Sequence, residues 1–232
     1  MKIGVLGTGT VGRTLAARLA ELGHEVMIGT RDPAKSRART TPDAYGNLPL
    51  GRWLESQPRL KLGSFAEAAG HGDPVVNATQ GSASLEALEK AGKTRLDGKV
   101  LIDVSNPLDF SRGMPPTLFV KDSDSLAEQI QRDFPKTRVV KTLNTLTAAL
   151  MVDPWRLDQA EHSVFLSGND AGAKQAVREL LASFGWKDII DLGDISTARG
   201  PEMLLGAWLR LYSALDTPLF NVKVVRCAAG GP

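Results

Sequence analysis

The stretch "KIGVLGTGTVGRTLAARLAELGHEVMIGTRDPAK" (2–35) decides the fold. Residues 2–6 form a short apolar, β-type run that opens directly onto Gly7, Gly9 and Gly12, spaced G-x-G-x-x-G. Leu15, Leu19 and Leu22 then recur at helical spacing until Gly23 ends the helix. "EVMIGT" (25–30) reads as the next strand. Strand, glycine turn, helix and strand within about 30 residues make a βαβ unit. The glycine pattern is weak evidence by itself. Placed between a strand and a helix, it predicts a dinucleotide-binding turn rather than an ordinary one. Gly7 permits the tight bend, Gly9 lets backbone approach a pyrophosphate, and Gly12 lets the helix pack on the strand. The helix N-terminus supplies unpaired N–H groups and the positive end of its dipole.

Further along, "DPVVNAT" (73–79), "KVLIDVS" (99–105) and "TRVVKTL" (137–143) read as buried strands. Helical runs separate them, among them "SASLEALEKAG" with Ser82 as cap and the capped "SDSLAEQIQRDF". Strand–helix alternation to about residue 143 predicts an α/β Rossmann fold with a doubly wound parallel sheet. Residues 1–145 are expected as the nucleotide-binding domain. Residues 146–232 are expected as a small, mostly helical C-terminal lobe closing the site, with strands free to extend the same sheet. That lobe holds strands at 162–168 and 187–193, an apolar helix from Thr197 to Leu215, and "PLFNVKVVR" as a closing strand. Pro107, Pro115 and Pro116 argue against regular structure over 106–118. The close, "CAAGGP" (227–232), reads as a frayed tail.

Composition narrows the function classes. A chain of 232 residues that is 42% hydrophobic and 23% charged is ordinary for a globular protein. The net charge of +2 is too small to argue for nucleic acid or a membrane surface. No apolar run approaches the roughly 20 residues of a membrane helix. The run after Lys2 is too short for a signal-peptide core. A lone cysteine, Cys227, fits a reducing cytoplasm.

The second strand bears on the choice of dinucleotide. NAD sites place an acid about 20 residues beyond the glycines to hold the ribose 2′-OH. Here the strand tip reads "GTRDPAK". Thr30 offers a hydroxyl, Arg31 a planar cation suited to a 2′-phosphate, and Lys35 a point charge. These favour NADP(H). Asp32 is the complication, because its carboxylate directed at the ribose would favour NAD. In a doubly wound sheet the ligand lies beyond the carboxyl ends of the strands. Those ends supply Thr79, Gln80 and Gly81, then Ser105, Asn106 and Pro107, then Asn144 and Thr145. Such small polar groups suit a nicotinamide carboxamide, although each alone also reads as a strand-end turn.

No catalytic acid or base stands out. His24 lies in the turn before the second strand, His71 in a loop and His162 before a later strand, and all three read as structural or surface residues. Metal-ligand spacing is lacking, and the Asp/Ser run at 122–125 reads as a helix cap. Lys141 ends a strand near the site. Arg199 and Glu202 open the C-terminal helix and read either as surface charges or as groups facing a second substrate. The face formed by Leu204, Leu205, Trp208, Leu211 and Leu215 is expected to be core or dimer interface.

The chain resembles the NADP oxidoreductases of the coenzyme F420-dependent type. The blocks 2–35, "VLIDVSNPL" (100–108), "VVKTLNTLTAALMVDP" (139–154) and "FLSGNDAGAKQAVRELLASFGW" (165–186) carry the likeness. The oxidoreductase domain of the STEAP metalloreductases is similar, and pyrroline-5-carboxylate reductase is more distant. The resemblance implies that Thr8, Gly9, Thr10 and Val11 cradle the pyrophosphate and that Thr30, Arg31 and Lys35 meet the 2′-phosphate. It also implies a homodimer and hydride transfer with coenzyme F420, a reaction that needs juxtaposition more than an acid. Two alternatives remain open. One is a reductase of a small carbonyl or imine using a donor such as Lys141 or Tyr212. The other is an NADP-sensing module without turnover.

Overall fold

In the computed structural model, which describes residues 1–43 and 46–227, the opening run becomes an interior strand of an eight-stranded sheet. The strands are β1 (Lys2–Leu6), β2 (Glu25–Thr30), β3 (Leu60–Ser64), β4 (Val75–Asn77) and β5 (Val100–Asp103), followed by β6 (Leu108–Asp109), β7 (Thr117–Leu118), β8 (Arg138–Thr142), β9 (Ser163–Gly168) and β10 (Asp188–Asp191). The sheet runs β10-β9-β8-β5-β4-β1-β2-β3. All neighbours pair in parallel except β8 and β9, which are antiparallel. The chain leaves β1 toward β2 and later returns to β1's other side as β4. That reversal opens a crevice at the carboxyl ends of β1 and β4.

Helices cover both faces, because a parallel sheet must bury both. They are α1 (Thr10–Glu21), α2 (Pro33–Ala38), α3 (Leu50–Glu55), α4 (Phe65–His71), α5 (Gly81–Ala91), α6 (Lys93–Leu96), α7 (Leu126–Asp133), α8 (Ala148–Val152), α9 (Ala171–Phe184), α10 (Arg199–Met203) and α11 (Leu205–Leu215). On one face Leu15 and Leu19 of α1 pack with Leu150 of α8, Leu181 of α9, and Ile3 and Val5 of β1. On the other, Ala68 of α4, Leu88 of α5 and Ile130 of α7 pack with Leu6 and Leu101.

The region after residue 146 contributes β9 and β10 to the same sheet, so the core is continuous across that point. Several local expectations are corrected. Gln80, not Ser82, is the N-cap of α5, and no side chain caps that helix. The proline-rich stretch still forms a two-rung antiparallel hairpin, β6–β7, because its pairs fall clear of Pro115 and Pro116. The 197–215 helix is three pieces: a 3-10 turn (Ile195–Ala198), then α10 and α11. Residues 218–226 run beside β9 without joining the ladder, although Ser163 N donates to Val222 O. Beyond Cys227, the tail reading of "CAAGGP" falls outside the described residues.

The apolar face of α11 is not core. Leu205 is buried, whereas Leu211, Tyr212 and Leu215 are 40%, 41% and 52% exposed. Trp208 stacks on Tyr212 and Phe220. His162 is buried and structural: its Nε2 pairs with Pro154 O, Asn221 meets its Nδ1, and its ring sits edge-on to Trp186. No helix among the described residues is long and apolar enough to cross a membrane.

Candidate cofactor site

The three glycines do different work. Gly7 has φ +115°, a conformation that strains any other residue, and a side chain there would run into Ala78 O. At Gly12 a Cβ would strike the Gly7 carbonyl, so α1 can sit on β1 only if this position is bare. Gly9 is the N-cap of α1, has no side-chain cap bond, and would carry a Cβ into open space. The first two are steric requirements of the turn. Gly9 keeps the mouth of the helix clear, where the N–H groups of Thr10, Val11 and Gly12 lack intrahelical partners. An anion with phosphate geometry fits that cradle.

Arg13, which the sequence reading passed over, braces the turn. Its Nε donates to Thr8 O at 2.8 Å, its NH1 donates to Leu48 O, and its guanidinium lies over Trp53 at 5.5 Å. Asn47 donates to Thr10 Oγ1 at 2.7 Å and to Asp43 Oδ2. The Arg13–Leu48 and Asn47–Thr10 bonds span more than thirty positions, so no local pattern announces them.

At the tip of β2 the ambiguity of Asp32 is resolved by its own backbone. Asp32 caps α2, and its Oδ1 accepts from Lys35 N at 2.9 Å. The carboxylate is therefore turned into its own helix. Thr30 is buried, with its hydroxyl 2.9 Å from Ser36 Oγ. Arg31 and Lys35 are exposed. No hydrogen bond or ion pair engages the Arg31 guanidinium among the described residues, which leaves its fork available.

The other strand ends are knitted together. Asn77, fully buried on β4, donates to Asp103 Oδ1 at 2.8 Å and accepts from Thr79 Oγ1 at 2.7 Å. Thr79 also meets Ser84, while Gln80 stays exposed and Gly81 packs against the Asn106 carbonyl. Ser105 donates both N–H and Oγ–H to Asp103 Oδ1. Asn106 and Asn144 bond reciprocally: Asn106 Nδ2 reaches Asn144 O at 2.8 Å, and Asn144 Nδ2 reaches Asn106 Oδ1 at 3.0 Å. Pro107 O accepts from Phe119 N of the hairpin. Ser105 and Asn144 are each only 3% exposed, and Thr145 is equally buried. They form the floor of the crevice, whereas Gln80 and part of Asn106 remain at its surface.

Beneath that floor lies Lys141. Its Nζ is 2.8 Å from Asp103 Oδ2, 2.9 Å from Glu202 Oε1 and 2.6 Å from Ser105 O. Burial pulls the ammonium pKa down, but the charges of Asp103 and then Glu202 outweigh it and hold it above the usual lysine value. Lys141 is thus a locked cation rather than a proton donor at the crevice surface. Neither reading of Glu202 holds, since it is buried, and Arg199 is tied to another helix rather than turned to a substrate. Arg199 forks onto Glu128 at 2.9 and 2.6 Å, and Glu202 accepts from Leu126 N and Ala127 N at the start of α7. Both dock the C-terminal segment.

A doubly wound sheet with a bare glycine mouth and an exposed arginine at the second strand is the architecture of a Rossmann-type dinucleotide-binding protein. Residues 2–107 match the family of coenzyme F420-dependent NADP oxidoreductases. The F420-dependent NADP reductase of Methanothermobacter marburgensis is 30% identical over 208 residues, covering 88% of this chain and 89% of that protein. A crystal structure from Arthrobacter sp. FB24, provisionally assigned as an F420-dependent NADP-reductase, superposes with a TM-score of 0.93 at 58% identity. It covers 97% of this chain and 100% of its own. Rat metalloreductase STEAP3 is 28% identical over 89% of this chain, which spans 38% of that longer protein. The chain belongs to the coenzyme F420-dependent NADP oxidoreductase family. It is an NADP-dependent oxidoreductase.

Proposed function

We propose that the protein transfers a hydride between NADPH and the deazaflavin coenzyme F420. Gly7 to Gly12, with Thr8, Thr10 and Val11, hold the pyrophosphate. Arg31 and Lys35, flanked by Thr30, hold the 2′-phosphate. Thr79, Gln80 and Gly81, with the 105–107 turn and Asn144, form the nicotinamide end. The observation that carries the reading is the capping role of Asp32, which removes the one acid at the β2 tip and leaves Arg31 free. Bound there, NADP(H) supplies the hydride chemistry. The chain contributes orientation: neutral small polar groups at the strand ends and a lysine held as a buried cation suit a transfer that depends on juxtaposition.

F420 as partner is supported by the Methanothermobacter relative, whose name specifies it. The exposed face of α11 supports a homodimer. The test mixes purified protein with NADPH and oxidised F420 and follows deazaflavin absorbance, with NADH as control. Rapid loss with NADPH alone is expected. Bound NADPH without any loss would refute F420 and turn the search to imines, carbonyls or a sensing role.

A further inference from the structure

We propose that Lys141, Asp103 and Glu202 form a positioning device that makes the nicotinamide end of the site depend on docking of the C-terminal segment. The proposal rests on the cofactor placement given above. The three charged side chains are 0%, 0% and 2% exposed, so none touches a ligand, and they act through their neighbours.

The connections close a ring. Lys141 grips the Ser105 carbonyl while Asp103 accepts the Ser105 hydroxyl and N–H, so one residue of the 105–107 turn is held from both sides. The next residue, Asn106, is tied to Asn144. Asn144 Nδ2 also donates to Pro201 O at 3.0 Å. Pro201 precedes Glu202, which returns to Lys141 at 2.9 Å. Glu202 simultaneously accepts from the first N–H groups of α7 at 2.8 and 3.1 Å. One cation faces two carboxylates, and the N-terminus of α7 offsets part of the extra negative charge. Five elements (β4 through Asn77, β5, β8, α7 and α10) therefore converge beneath the crevice floor.

Apolar side chains of similar volume would hold such a core as well or better. What charged groups add is a fixed geometry, since each bond sets a direction as well as a contact. The adenosine end lies apart, at the glycine turn and the β2 tip, and shares none of these bonds. Loss of one charge should loosen the 105–107 turn and leave the adenosine end intact.

The experiment uses the full chain and two ligands: NADPH, and 2′,5′-ADP, which carries the adenosine phosphates without nicotinamide. E202Q removes the charge facing Lys141 and keeps one oxygen, which serves one of the two α7 N–H groups that Glu202 accepts through separate oxygens. Calorimetry should show NADPH binding weakened about tenfold or more, with 2′,5′-ADP unchanged within about twofold. K141R, which keeps the cation, should retain NADPH affinity within about threefold. If E202Q does not fold, D103N removes the other carboxylate and should give the same split. Equal weakening of both ligands, or no weakening of NADPH, overturns the proposal. Wild-type protein binding NADPH no more tightly than 2′,5′-ADP would instead remove the nicotinamide placement, and the proposal with it.

Discussion

Replacing Lys141 with methionine removes the cation but nearly preserves the volume of its chain. Asp103 and Glu202 are then left facing each other's charge at 0% and 2% exposure, with no water to solvate them. Removing one partner of a buried ion pair costs about 3–5 kcal/mol, because the remaining charge stays desolvated. For a chain of this size each kcal/mol moves the midpoint by about 2–4 °C, so K141M should melt on the order of 10 °C below wild type. Thermal denaturation followed by circular dichroism reads this directly. A companion triple variant, K141M with D103N and E202Q, abolishes all three charges while keeping an amide oxygen for Ser105 and one for a single N–H at the start of α7. It should recover at least half of the loss. A K141M midpoint within about 2 °C of wild type would refute the reasoning, since a cluster that tolerates an unpaired carboxylate is not sealed from water.

Three further outcomes are expected. Arg31→Ala should weaken NADPH binding about 30-fold while leaving NADH almost unchanged, because only NADPH carries the 2′-phosphate; equal losses would remove Arg31 from that role. Gly9→Ala should melt like wild type yet bind NADPH about tenfold more weakly, since its Cβ enters only the open mouth of α1. Gly12→Ala, whose Cβ meets the Gly7 carbonyl, should lose about 1–3 kcal/mol of stability; identical behaviour of the two variants in both assays would contradict the separate roles. Asp124, forked by Arg132 at 2.9 and 2.8 Å, has its carboxyl held down at about 2, chiefly by that hydrogen bond. Its contribution is complete above the ordinary value of 3.8 and is lost as pH falls through about 2. Asp124→Asn should therefore cost at most about 1 kcal/mol near neutrality, the pair being largely solvent-screened, and urea titrations should show the deficit closing between about pH 4 and pH 2.

Local chemistry made much of this protein legible from its residues. The G-x-G-x-x-G turn between an apolar strand and an amphipathic helix is a short-range pattern, and the same glycines sit at the crossing of β1 and α1. Buried parallel strands such as β5 carry an unbroken apolar run (Val100, Leu101, Ile102), so they stand out without any partner being known. Arg31 at the β2 tip was readable for the same reason. The direction of Asp32 was not, because a carboxylate beside an arginine can face a ribose or a helix start, and only the backbone geometry at Pro33 selects the cap.

Tertiary structure alone decided what lies beneath the crevice. Glu202 meets Lys141 across sixty-one positions, and Arg199 meets Glu128 across seventy-one. Both had the charge and spacing of surface residues on a helix, and no periodicity distinguishes a solvated glutamate from one bonded to a distant lysine. Asn47 and Arg13 carry no local signal for the same cause: Thr10 and Leu48, which they reach, lie more than thirty positions away. The apolar stripe of α11 shows the converse. Its sequence reads as buried, yet the fold leaves Leu211 and Leu215 in the open, because amphipathic spacing specifies that a face exists and not what covers it. The sequence by itself determined the Rossmann frame and the bare glycine turn between β1 and α1, which depend on neighbours in the chain. The locked floor of the site depends on side chains that become neighbours only when the sheet is assembled.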